Sequence, residues 1–404
     1  MIPKTVENSP ICNSTELSVE TITELCLQKF QSLSKTGKPT NNEWTVLSGV
    51  VLHDETMKCS KVVALGTGTK CVGQTKLCAH GLILNDSHAE VLTRRALLRY
   101  FHRQLQLAKG DFRRSENLFV WKAEQRVYAL RENISFHFFS TQTPCGDACI
   151  EDNFGRIKET VYTGAKLIGT TYADPLQQIS GAVRLKPGRG DPTLSMSCSD
   201  KLSKWQLLGV QGALLDALLE QPIYMETFNF CCESNCSSME RAIYKRWAEK
   251  TFIFQRFHPV HPRLRYCTTK TFQFKQDAGR QPSPNGLVWC DIEDELKPFE
   301  ISVNGKRQGV TTRKLHTPHA ALKVSKFCLL QSFVSLLKSN NELLFKFSLV
   351  DVELEQITYS QYKDLATSYQ AAWLAAKQFY FEQWTQKPRE LLEFTAKFPL
   401  ENII

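Results

Sequence analysis

Two short segments bring together side chains that can hold a metal ion and one that can move a proton. "NDSHAEV", residues 85–91, offers His88 and, two positions on, Glu90, while "TPCGDACI", residues 143–150, offers Cys145 and Cys149. A hydrolytic zinc site takes three nitrogen or sulfur ligands and keeps a fourth position open for water, whose pKa it lowers to about 7. A carboxylate beside it that is not a ligand can carry the proton. His88 and Cys145 supply two ligands and Glu90 the carrier. The third ligand is open on spacing: Cys149 stands one residue beyond the Cys-x-x-Cys interval from Cys145, and Cys198 of "SMSCSDKLSKW" is the distant alternative.

These residues need elements to position them. In "NDSHAEVLTRRALLRYF" the apolar positions Val91, Leu92, Ala96, Leu98, Tyr100 and Phe101 have helical spacing, which predicts a helix opening at His88 with Glu90, Arg94 and Arg95 near or inside a core. "SVETITELCLQKFQSL" predicts an amphipathic helix capped by Ser18, with Val19, Ile22, Leu25, Cys26, Phe30 and Leu33 on one face. "WTVLSGVVLH" and "KVVALGTG" read as a hairpin, and "ISFHFFST" as a strand ending just before the Cys145 segment. Strands and helices alternating in this way argue for an α/β layer. Residues 186–192 and 275–286 are Gly/Pro loops, the second a flexible insertion, and Tyr369, Trp373, Ala376 and Tyr380 fall at helical spacing near the end. The polar, aperiodic residues 1–16 read as a mobile N-terminus ahead of a single domain, 17–404.

With 404 residues, 42% of them hydrophobic and 23% charged, the chain can bury a large core. It has no apolar segment behind a basic N-terminal cluster and no run of about 18 apolar residues, so the expectation is an intracellular protein of nucleus, cytoplasm or both, neither secreted nor membrane-bound. Fourteen scattered cysteines then read as thiols with a few metal ligands. A net charge of +9 favours a polyanionic partner.

His-x-Glu followed by Pro-Cys matches the signature of zinc-dependent nucleobase deaminases, in which the Glu is not a ligand. Together "ALGTGTKC", "NDSHAEVLTRR", "TPCGD" and "SMSCSDKLSKW" resemble the deaminase domain of the adenosine deaminases acting on RNA, and "VRLKPGRGDPTLSMSCSDK" is most similar to the tRNA-acting branch. The resemblance implies an α/β fold, a three-layer α-β-α cytidine-deaminase-like core with a mixed sheet and family-specific helical additions. It implies zinc on His88, Cys145 and Cys198, proton transfer by Glu90, an ordinary thiol at Cys149, and nucleotide-pocket positions at Val46, Thr69 and Lys70. It also implies an inositol hexakisphosphate inside the fold, held by Asn85, Arg94, Arg95, Lys201, Lys204, Trp205, Lys326, Tyr359, Lys363, Trp384 and Lys387. That would explain the arginine pair, since two adjacent buried cations cost several kcal/mol each without compensation. One departure is Trp373, which stands where family members place a lysine.

The implied reaction is hydrolysis of adenosine to inosine, in the tRNA-acting branch at the adenosine immediately 3′ of the anticodon of an alanine tRNA, with no obligate protein partner. Two other readings are an editor of double-stranded messenger RNA and a silent RNA-binding subunit. Only about 43 residues precede Trp44, too few for a double-stranded-RNA module, and silent subunits lack the proton-carrying carboxylate that is present here as Glu90. Cys231, Cys232 and Cys236 of "CCESNC" read as free thiols, and His258 and His261 as loop residues.

Overall fold

The computed structural model describes residues 17–109, 117–150, 164–168, 179–188, 190–234, 236–248, 256–293, 295 and 298–399. The expected mobile segment 1–16 lies outside them. Helix α1 (Val19–Ser32) opens as its sequence predicts, the Ser18 hydroxyl accepting from the Thr21 amide. The hairpin β1 (Leu47–Asp54) and β2 (Cys59–Thr67) follows, then the short strands β3 (Thr69–Cys71) and β4 (Asp86–His88), helix α2 (Ala89–Lys109) and strand β5 (Ile134–Ser140). Next come α3 (Cys198–Leu208), β6 (Thr227–Phe230), β7 (Arg263–Tyr266), β8 (Asn285–Cys290), β9 (Phe299–Val303) and β10 (Lys306–Arg307). Three helices, α4 (Lys326–Lys338), α5 (Tyr359–Asp364) and α6 (Thr367–Phe379), bring the chain towards its C-terminus.

One eight-stranded sheet runs in the order β7-β6-β5-β1-β2-β8-β9-β10. The pairs β7·β6 and β6·β5 are parallel and the rest antiparallel, so the sheet is mixed. Its period-two alternation feeds two cores. Leu47, Val51, Leu65, Phe139, Leu287 and Trp289 pack with Ile22, Cys26 and Phe30 of α1. Val50, Ala64, Phe136, Phe138, Phe228 and Val288 pack on the other face with Leu92, Ala96, Leu97 and Phe101 of α2. Helices on both faces give the expected three layers. Helix α2 comes closest at Gly66, where an added Cβ would lie 2.8 Å from both Leu92 Cβ and the Thr93 amide nitrogen. The C-terminal helices are the additions: Tyr369, Ala372 and Ala376 of α6 share a further core with Leu207 and Leu208 of α3. Among the described residues, no helix is long and apolar enough to cross a membrane.

Three local expectations are corrected. His88 ends β4 instead of opening α2, because Asp86–His88 pairs with Thr69–Cys71. The loop 275–286 is not a free insertion: Gln281 and Pro282 pair with Glu43 and Trp44, Ser283 is buried, and Asn285 opens β8. Tyr380 is the C-cap of α6 and not one of its helical residues.

Candidate active site

The candidate ligands come from three places in the fold. His88 is delivered by β4, whose register sets Thr69 opposite it; the Asp86 carboxylate accepts from the His88 amide at 2.9 Å, and Gly68 accepts from the Ala89 amide at 3.0 Å. Cys145 lies in the turn that leaves β5, and Cys198 is the first residue of α3, whose Ser197 cap accepts from the Asp200 amide. The His88 Nδ1 atom is 3.6 Å from Cys198 Sγ and 3.9 Å from Cys145 Sγ. A tetrahedral ion with sulfur at about 2.3 Å and nitrogen at about 2.0 Å separates such donors by about 3.6 Å. The donor set therefore fits a metal ion.

The geometry favours one of the two cysteines that spacing left open. Cys198 stands with His88 and Cys145, whereas the Cys149 thiol donates to the Pro144 carbonyl at 3.4 Å, and burial, with Cys145 and Glu90 adding, pushes it up to about 12. A hydrogen bond from Cys198 holds Cys145 well below the usual thiol range against burial, with Lys186 and His88 assisting, while burial and Cys145 push Cys198 up. Burial and Lys186 oppose charge on His88, yet the sulfurs of Cys71 and Cys145 hold its imidazole up to about 10. Cys71, Asp86 and His88 form a second possible ligand group, but Lys186 and Lys201 already occupy Asp86 Oδ2 with two ammonium charges.

Glu90 lies in the first turn of α2, 3% exposed, and among the described residues its Oε2 atom has no hydrogen-bond partner. Buried carboxylate oxygens are ordinarily satisfied, so this one is poised for something that is not protein. Val46 accepts from the Gly68 amide at 3.2 Å, one step from the Gly68–Ala89 bond at the helix N-terminus. Thr69 and Lys70 line a narrow crevice with Ser87, Asn285 and Asn304, and the Thr69 hydroxyl is buried without a partner among the described residues. All three expected substrate positions thus border the segment that carries His88 and Glu90. The two asparagines were invisible in the sequence, because they reach the crevice from β8 and from the turn after β9.

A cavity of about 480 Å³ lies beside this centre, lined by all eleven residues expected to hold a polyphosphate. Its lining carries eight cations, among them Arg94, Arg95, Lys204, Lys326 and Lys387, against one carboxylate, Asp86. Arg94 Nε donates to the Val210 carbonyl at 2.8 Å, Arg95 Nε to Val324 at 2.5 Å and Lys326 Nζ to Leu391 at 3.4 Å; the Arg95 Nη2 atom is buried without a partner among the described residues. The Asn85 amide, turned so that its oxygen accepts, meets Lys387 Nζ at 3.2 Å. Burial, reinforced by neighbouring cations, drives Lys204 and Lys326 well below the usual lysine range and Lys387 down to about 8. Such mutual repulsion is relieved by a dense anion. Lys377 was missed: it also lines the cavity, one turn beyond Trp373, and the i,i+4 spacing was its only signal. Trp373 itself receives the Lys204 ammonium 3.4 Å from its ring centroid.

Cavity and donor cluster are joined. Lys201 lines the cavity and binds Asp86 Oδ2, and Lys186 Nζ lies 2.8 Å from that oxygen and 3.1 Å from Cys198 Sγ. Among the described residues the remaining motifs contribute no ligand to the donor cluster. The Cys231 thiol donates to the Lys270 carbonyl at 3.0 Å, Cys232 lies 3.3 Å from the Ser234 hydroxyl, Cys236 is exposed, and His261 stacks on Tyr244.

A model of the adenosine-deaminase (editase) domain matches residues 64–388. The chain is 48% identical to tRNA-specific adenosine deaminase 1 of Drosophila melanogaster, over 97% of this chain and 100% of that relative. It is 30% identical to the human protein of the same name, over 93% of this chain and 99% of that relative. The double-stranded RNA-specific editase Adar of Drosophila melanogaster shares 30% identity over 73% of this chain but only 44% of its own length. With the family's domain spanning most of the chain and its His, Glu and Cys positions gathered at one centre, the chain belongs to the adenosine-deaminase (editase) family.

Proposed function

We propose that this protein hydrolyses adenosine to inosine in tRNA, using zinc on His88, Cys145 and Cys198 and Glu90 as the proton carrier. The observation that carries this reading is the buried Glu90 carboxylate, whose Oε2 atom has no hydrogen-bond partner among the described residues, beside a three-donor nitrogen and sulfur cluster. Zinc in such a set supplies a water of pKa about 7 at its open position. Glu90 takes the proton from the attacking water and delivers it to N1 of the adenine while the water oxygen adds at C6; Glu90 then takes the remaining proton of the new C6 hydroxyl and passes it to the amino group, so that ammonia leaves and the C6 carbonyl of inosine forms. Thr69 and Lys70 lie on the strand that pairs with β4, Thr69 directly opposite His88. Lys186 and Asp86 hold Cys198 and the backbone of His88 in place from behind.

The two candidates for the third ligand separate cleanly by substitution. Cys198→Ala should abolish both zinc and activity, whereas Cys149→Ala should keep both. Elemental analysis giving the reverse pattern would transfer the third ligand to Cys149.

The cavity holds inositol hexakisphosphate on this reading, supported by its charge and by its match to all eleven expected residues. The choice of tRNA is supported by near full-length likeness to two relatives named for that substrate. A target base must leave its stack, and a loop nucleotide loses less in doing so than a paired one. The proposed target is the adenosine immediately 3′ of the anticodon of an alanine tRNA. Intact tRNA, its isolated anticodon stem-loop and a long duplex carrying the same adenosine should be edited in that order, the duplex scarcely at all. Efficient duplex editing would overturn the assignment in favour of a double-stranded-RNA editor.

A further inference from the structure

Each cysteine of the candidate centre is followed, after one residue, by an aspartate: Cys145-Gly146-Asp147 and Cys198-Ser199-Asp200. Both aspartates are 0% exposed. A carboxylate at such depth is costly unless paired and hydrogen-bonded, and here one guanidinium serves the two. Arg246 Nη1 donates to Asp200 Oδ1 at 2.8 Å, and its Nη2 lies 3.5 Å from Asp147 Oδ2. Arg241 adds Nε to Asp147 Oδ2 at 3.3 Å, and Nη2 to the Asp147 and Ile150 carbonyls at 3.0 and 2.7 Å. The backbone completes both carboxylates, the Gly181 amide donating to Asp147 at 2.7 Å and the Arg184 amide to Asp200 at 2.9 Å.

Two arginines five positions apart can serve one carboxylate because Arg241–Lys245 is a π turn. In an α-helix, at about 3.6 residues per turn, side chains five apart diverge by about 140°. The i to i+5 bonding of a π turn widens the helix and brings them back towards one face.

The two segments that the arginine joins also touch directly. The Ser199 amide and hydroxyl each donate to the Cys145 carbonyl at 3.1 Å, and the Cys198 amide donates to Cys145 Sγ at 3.3 Å. Gly146 makes the approach possible: its φ is +108°, and a Cβ there would lie 2.3 Å from the Ser197 hydroxyl.

We infer that Arg246, presented by the π turn, is a positioning residue of the metal centre: by bridging Asp147 and Asp200 it fixes the separation of Cys145 and Cys198 and so governs how firmly the site keeps its metal. The inference rests on the metal-site reading above. Among the described residues the Arg246 side chain contacts the two aspartates and the Phe381 ring, so it reaches the ligands through the aspartates, and lysine cannot replace it because one ammonium does not present the planar fork that spans both carboxylates.

The test measures zinc release from the full chain into a coloured chelator, alongside thermal unfolding and editing kinetics. Arg256 supplies the control: it pairs with Asp216, 1% exposed, at 2.8 Å and, among the described residues, has no link to either cysteine segment. Outer partners of metal ligands typically contribute about 10- to 100-fold in affinity. Arg246→Lys should release zinc at least about 10-fold faster than wild type and lower kcat with little change in KM. Arg256→Lys should lower the unfolding temperature while releasing zinc at the wild-type rate. Should Arg246→Lys not fold, Asp200→Asn, which keeps the shape but loses the charge pair, should show the same faster release. Wild-type release from whichever of these variants folds, or equally fast release from Arg256→Lys, overturns the inference. Wild-type protein that holds no zinc defeats the metal-site reading instead.

Discussion

Replacing Glu90 with alanine should leave the metal in place and lower turnover on tRNA by about three orders of magnitude. The magnitude follows from general acid–base catalysis, which contributes about 10²- to 10⁴-fold, and Glu90 is called on twice, at water and at ammonia. Its position leaves little room for a substitute: it is 3% exposed, so bulk water does not replace it, and among the described residues its Oε2 atom is uncommitted. Glu90→Gln keeps the volume but cannot accept the proton, and it should fall with the alanine variant. Elemental analysis and single-turnover rates check the two halves. Near-normal turnover in either variant places the proton carrier elsewhere, and loss of metal from the alanine variant makes Glu90 a ligand.

Protein made in cells that cannot synthesise inositol polyphosphates should be insoluble or inactive. Eight cations line one cavity with a single carboxylate, and Asp86 is already held by Lys186 and Lys201. A ligand that binds only the folded state, at about 1,000 times its dissociation constant, adds about 4 kcal/mol, a large share of the 5–15 kcal/mol that holds a typical domain together. Any anion-free protein that is recovered should show the reason in its pH dependence. Lys387 is held near 8 in the fold, below its ordinary 10.5, so the unfolded chain binds that proton more tightly and protonation favours unfolding. Stability should therefore rise as pH climbs from about 8 towards 10.5 in anion-free protein, and change much less across this window in the loaded protein. Stable, active protein without phosphorus detectable by mass spectrometry would remove the polyphosphate from the account.

What the sequence made legible was local. The Ser18 cap, the β1–β2 hairpin and the apolar stripe of α2 follow from hydroxyl capping and from periods of two and 3.6, and all three stand in the fold. His88, Glu90 and Cys145 lie in recognisable short motifs. The choice between Cys149 and Cys198 was not legible from spacing, because it depends on where α3 docks, some fifty residues beyond Cys145, and only the family resemblance favoured Cys198. The loop 275–286 looked free because its Gly and Pro residues break regular structure, yet two of its residues pair with Glu43 and Trp44, a contact without local signal. The arginine bridge was hidden for a related reason. It depends on a π turn, and no residue pattern in "RAIYKRW" distinguishes that turn from an α-helix.

The most direct test of the central claim is a single turnover of purified protein on its tRNA in water enriched in heavy oxygen, with the nucleosides then resolved by mass spectrometry. Hydrolysis at C6 predicts inosine carrying the heavy oxygen, one ammonia released per inosine formed, and neither product from Glu90→Ala. Adenosine left intact, or inosine formed without the label, would contradict it.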